Sequence, residues 1–101
     1  MNVFDIVGAV IDLADVVISL NGRDEGKRFL VIGKEDEYLL LADGSSRKIE
    51  KPKRKKNKHL KLEGKADERI ASKLIECDKI TNSDVRRAMA QFTANCGERE
   101  V

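Results

Sequence analysis

Tryptophan is absent from this 101-residue chain, and histidine and proline occur once each. There are two cysteines and four aromatic residues, Phe4, Phe29, Tyr38 and Phe92. Each scarcity excludes something. Cys77 and Cys96 have eighteen residues between them and no cluster of histidines beside them. A zinc site draws four ligands at short spacings, so no metal is expected. A disulfide between the two is geometrically conceivable, but without a secretory signal free, partly buried thiols are expected. The lone His59 has no evident nucleophile or orienting acid beside it, so no catalytic triad can be assembled and no enzyme is expected. Phe29 and Tyr38 fall in apolar strand patterns and Phe92 on a helical stripe. Few rings are left for the stacking by which proteins read single-stranded bases.

An early positive charge is missing too. "MNVFDIVGAVIDLADVVIS" has no Lys or Arg, and Asp5, Asp12 and Asp15 interrupt it. A signal peptide needs a basic start and an unbroken apolar stretch, and a membrane helix needs about twenty apolar residues. Neither fits, so a cytoplasmic protein is expected. "GRDEGK" is too short between its glycines for a phosphate-binding loop of the GxxxxGK[ST] type, and it does not lead into a helix. No cofactor and no small-molecule substrate are expected.

What is present is charge, unevenly spread. Charged residues make up 38% of the chain and apolar ones 41%, enough for one domain with a compact core. From Arg47 to Lys61 there are nine Lys/Arg against one acid, Glu50, whereas the chain as a whole carries only +2. Such a one-sided run is either a solvated loop or a footprint for a polyanion, and its segregation favours the second.

Between Asp15 and Leu62, short strands alternate with turn signals. "VVIS" is β-branched, and Gly22 and Gly26 break the chain after it. "KRFLVIGK" puts Arg28, Leu30 and Ile32 on one face and Phe29 and Val31 on the other. "YLLLA" follows the acidic "EDE" turn, and Asp43-Gly44 marks a turn before a strand over "RKIEK". Pro52 keeps the basic run on an edge or in a loop, and "HLKLE" returns as a closing strand. Four or five short strands in fewer than fifty residues predict a small, strongly bent barrel.

Beyond Gly64 the period changes. Ile70, Leu74 and Cys77 form one helical stripe behind Asp67 and Glu68. "TNSD" predicts a helix start capped by Thr81, and Val85, Ala88, Met89 and Phe92 continue the stripe to a stop at Gly97. The expected class is α+β, with residues 1–14 an unassigned segment that fits a short helix or an extra strand equally. Residues 15–64 would form the barrel and 65–101 a helical hairpin.

"VVISLNGRDEGKRFLVIGKEDEYLLLADG" resembles the KOW motif, a strand–loop–strand signature, with Gly26 at its key glycine. The continuation "RKIEKPKRKKNKHL" is similar to a narrower group: the fourteenth large-subunit ribosomal protein of archaea and eukaryotes and its small bacterial KOW-domain relatives. There a D-G turn precedes a basic run ending in K-H-L, as Lys58-His59-Leu60 does here. "KITNSDVRRAMAQF" looks like the tail helix of those bacterial relatives. The resemblance implies an SH3-like barrel that binds RNA on or near ribosomes, with ribosomal proteins as further partners.

The residue pattern gives that expectation its atoms. Arg23, Lys27 and Arg28 lie at the glycine loop, within reach of phosphates. Arg47, Lys48, Lys51, Lys53, Arg54, Lys55, Lys56 and Lys58 supply most of the positive field. Asn57 can meet a base edge or a 2′-hydroxyl, and His59 either touches RNA or is merely a polar residue beside a strand. The rival function is a protein-docking module in which acidic partner surfaces replace phosphate. Binding to a membrane surface is a remote third reading, because no aromatic or amphipathic insertion accompanies the charges.

Overall fold

Alternation along the strands gives the sheet two apolar faces, and both are covered. In the computed structural model, which describes residues 10–99, the strands are β1 (Asp15–Ser19), β2 (Arg28–Glu35), β3 (Tyr38–Ala42), β4 (Lys53–Lys56) and β5 (Leu60–Lys65). They form one antiparallel sheet in the order β4-β3-β2-β1-β5. A 3₁₀ turn over Asn57–His59 joins the two edge strands, and no ladder pairs β4 with β5 among the described residues. Two helices follow, α1 (Glu68–Ile75) and α2 (Asn82–Arg99).

Val17, Phe29, Val31, Leu39 and Leu41 point to one side, where Ile11 and Leu60 join them in a first core. Val16 and Leu30 point to the other, against Ile70 and Leu74 of α1 and Val85 and Ala88 of α2. The period-two alternation of β2 therefore distributes its apolar residues between two cores. Met89 and Phe92 extend the helical side, and a Cβ on Gly64 would lie 2.9 Å from the Phe92 ring. Each fully buried aliphatic or Phe side chain contributes on the order of 1.5–3 kcal/mol.

The sheet is curved. Three strand spacings, about 14 Å in a flat sheet, separate β4 from β1. Yet Lys55 Nζ of β4 reaches Ser19 Oγ of β1 at 2.5 Å. Near residue 14 the chain is already part of the core: Ile11 and Ala14 are buried, and Ala14 exchanges backbone bonds with Val31 and Ala66 at 2.9 Å each. The expectation for residues 1–14 otherwise concerns residues 1–9, outside the described part.

Helix starts follow their caps. Asp67 accepts the Ile70 N–H at 3.1 Å to open α1. Thr81 Oγ1 accepts the Asp84 N–H at 3.1 Å while Asp84 accepts the Thr81 N–H at 3.0 Å, a reciprocal capping box that opens α2.

Three expectations are corrected. Residues 47–51, expected as a strand, form bends and turns. The loop is tied to Asp43 and to α2 instead of to a neighbouring strand. Cys77 is neither on the α1 stripe nor partly buried. It is exposed with φ 59°, and it ends the helix: its N–H donates to Leu74 O at 3.3 Å and that of Asp78 to Lys73 O at 2.8 Å. That is a Schellman ending with cysteine in the place glycine usually takes. Gly97 does not stop α2, which continues to Arg99. Glycine in a helix costs about 1 kcal/mol but does not by itself end it.

Candidate nucleic-acid interface

The glycine loop and the basic run meet, although some thirty residues separate them in sequence. Gly26, with φ +86°, turns the loop and donates its N–H to Ser19 O at 2.8 Å. Lys53 Nζ forms an ion pair with Asp24. Lys55 Nζ donates to Ser19 Oγ, to Asn21 O at 2.7 Å and to Asn21 Oδ1 at 3.0 Å. His59 closes the contact, its carbonyl accepting the Leu20 N–H at 2.9 Å and its Nδ1 lying 2.7 Å from Asn21 Nδ2.

Strand alternation divides the basic run between two roles. Lys53 and Lys55 point to the loop and build the site. Lys55 has three acceptors for its three N–H groups, so the structure makes it a clamp and not a free phosphate ligand. Arg54 and Lys56 point the other way, over Tyr38. Their cationic groups lie 4.8 and 5.7 Å from its ring centroid. Glu35 pairs with Arg54 at 2.8 Å and Glu37 with Lys56 at 3.3 Å. Tyr38, expected in the core, belongs to neither core cluster.

Arg28 adjoins the loop, but its side chain turns away from it. Its Nε donates to Glu63 Oε1 at 3.0 Å and its guanidinium sits 6.0 Å from the Phe92 ring centroid, on the helical side of the sheet. Lys27 keeps a long contact to Asp24 at 3.9 Å. Arg23, Lys48, Lys51 and Lys58 are exposed, as are Asn57 and Lys61. No ion pair among the described residues involves Arg23, Arg47, Lys48, Lys51, Lys58 or Lys61. Along the glycine loop and the basic run, Lys55 aside, these six are the cations outside any ion pair among the described residues.

Arg47, Lys48 and Lys51, with Ser45, Ser46 and Glu50, line an open groove of about 290 Å³. Asp43 organises it, accepting the N–H groups of Ser45 and Arg47 at 2.8 Å each and the Ser46 hydroxyl at 2.7 Å. Burial alone would raise the Asp43 pKa, but these donors outweigh it and hold the carboxyl below its ordinary value. The Lys53 ammonium likewise holds Asp24 low by its hydrogen bond.

Helix α2 supports the groove from behind. Asn82 accepts the Ile49 N–H, and Arg86 Nη1 donates to Gly44 O at 2.6 Å. Sequence reasoning missed these residues, along with Ser19, Asn21, Asp24, Glu35 and Glu37. A long-range partner leaves no periodic trace; only the odd–even alternation within "KRKK" could have hinted that two of its cations turn inward.

Among the described residues, no group of three or more His, Cys, Asp or Glu side chains gathers to hold a metal ion. No helix there is long and apolar enough to cross a membrane. No known family model matches the chain, and no curated protein matches it.

Proposed function

We propose that this chain is a KOW-type RNA-binding protein. Its curved sheet is an SH3-like barrel that holds the phosphate backbone of structured ribosomal RNA, as an accessory or constituent of the translation machinery in the cytoplasm. One observation carries the reading: the glycine loop and the basic run come together, and six cations that enter no ion pair among the described residues lie along this loop, the run and the adjoining groove. Mixed exposed Lys and Arg with few free rings suit phosphate contacts better than base stacking.

The test is salt dependence together with competition. With about six phosphates neutralised, log K against log salt should fall with a slope of roughly −4 to −5.5. A folded ribosomal RNA fragment should outcompete unstructured oligonucleotides of equal length. A flat slope, or no RNA binding at low salt, overturns the reading.

Tyr38 favours a second reading. Its ring, with Arg54 and Lys56 already balanced by Glu35 and Glu37, makes a charge-neutral aromatic patch of the kind used in protein interfaces. On that reading the module docks a transcription or translation partner, and substituting Tyr38 weakens partner binding without affecting RNA.

A further inference from the structure

An ammonium group can only donate hydrogen bonds, so the Asn21 atom 3.0 Å from Lys55 Nζ must be the amide oxygen. The amide nitrogen of Asn21 then faces His59 Nδ1 at 2.7 Å. That nitrogen also only donates, so Nδ1 has to accept and the ring proton sits on Nε2. Lys55 thereby sets the tautomer of a histidine it does not touch. A flipped Asn21 amide would put donor against donor at Lys55, and a proton on Nδ1 would do so at His59. Nε2 has no partner among the described residues, and no side-chain nitrogen or oxygen there is both buried and unsatisfied. It therefore opens to solvent, beside exposed Lys58.

We propose that His59 acts as a neutral donor, its Nε2–H aimed at a phosphate oxygen of bound RNA, and that Asn21 is the residue that positions it under the control of Lys55. This rests on the RNA-binding reading and adds to it a hydrogen bond without charge. A charged ligand releases a counterion and a neutral one does not, so the two kinds of contact can be separated.

The experiment has two arms on the full chain. In the free protein, imidazole ¹⁵N shifts above neutral pH should show His59 with its proton on Nε2. Asn21→Asp, which presents an oxygen to Nδ1, should move the proton to Nδ1, and Asn21→Ala should mix the tautomers. An Nδ1–H ring or an imidazolium in the wild type overturns the proposal, whatever the RNA result. With a folded ribosomal RNA hairpin as probe, His59→Ala should weaken binding by about 3–10-fold, the range of one neutral hydrogen bond. The salt slope should stay the same, and His59→Gln, which returns an N–H close to the Nε2 position, should restore affinity. A slope reduced by about 0.7–0.9 would mean that His59 binds as a cation, against the proposal. Equal losses in the Ala and Gln variants would also reject the donor role. If the wild type binds no RNA, the donor role falls with the RNA reading, while the ¹⁵N shifts still decide the tautomer.

Discussion

Asn82 Nδ2 donates to Glu50 Oε1 at 2.9 Å, while Oδ1 of the same amide accepts the Ile49 N–H at 2.8 Å. The first residue of α2 thus holds the loop that carries Arg47, Lys48 and Lys51. Although the segment after Gly64 is close to neutral, it shapes the basic surface from behind.

Asn82→Ala should therefore lower stability by about 1 kcal/mol, as expected for lost hydrogen bonds. It should also weaken RNA binding while leaving the salt slope unchanged, because no base is removed. Urea unfolding and salt-dependent titration measure the two effects. A variant that keeps full affinity would show that the groove needs no support from α2.

Two glycines with positive φ should respond differently to alanine. A Cβ at Gly44 (φ +82°) would stand 2.5 Å from the Asn82 carbonyl oxygen, whereas one at Gly26 (φ +86°) meets nothing within 4 Å. Gly26→Ala should cost about 1–2 kcal/mol from backbone strain alone. Gly44→Ala should cost more, since neither side of the clash is a free side-chain tip. Equal losses on thermal unfolding would contradict the close approach of this turn to α2.

The reverse substitution should help at Cys77. A side chain at φ 59° is strained where glycine is not, so Cys77→Gly should stabilise the protein by about 0.5–1 kcal/mol. A loss of stability would mean that the thiol makes a contact worth more than the strain.

On the proposed RNA-binding reading, Glu35 and Glu37 would compete with phosphate for Arg54 and Lys56, with which they are paired. Glu35→Gln with Glu37→Gln should barely change stability, since exposed ion pairs are worth about 0–1 kcal/mol. RNA affinity should rise several-fold at low salt and the salt slope should steepen. Unchanged affinity would place the Tyr38 face outside the RNA contact.

Acid should loosen the groove. Asp43 and Asp24 lie below the ordinary aspartate value of 3.8, so ionisation stabilises the folded state. That stability is complete above about pH 4–5 and is lost as pH falls through the depressed folded-state values. The urea midpoint should stay level from neutral pH down to about 5 and then fall. Asp43→Asn should remove part of that decline. A decline already under way near pH 6 would point to another group.

Local chemistry was legible along the chain. Phe29 and Val31 oppose Leu30 and Ile32 because strand side chains alternate. Thr81 and Asp84 sit three apart because a capping box needs that spacing, and Gly26 takes the positive φ its loop requires. Period and turn chemistry depend on neighbours a few residues away, so the amino-acid sequence alone determined the strand-then-helix order, the amphipathic faces and where the positive charge concentrates. What the tertiary structure decided is the use of that charge. Lys55 and Lys58 look alike in sequence, yet one is consumed by Ser19 and Asn21 and the other stands exposed. Arg28 and Arg23 flank the same loop, but only Arg28 crosses to Glu63. Such differences depend on partners thirty or more residues away, brought within a few ångströms by the curvature of the sheet. No local pattern encodes that distance.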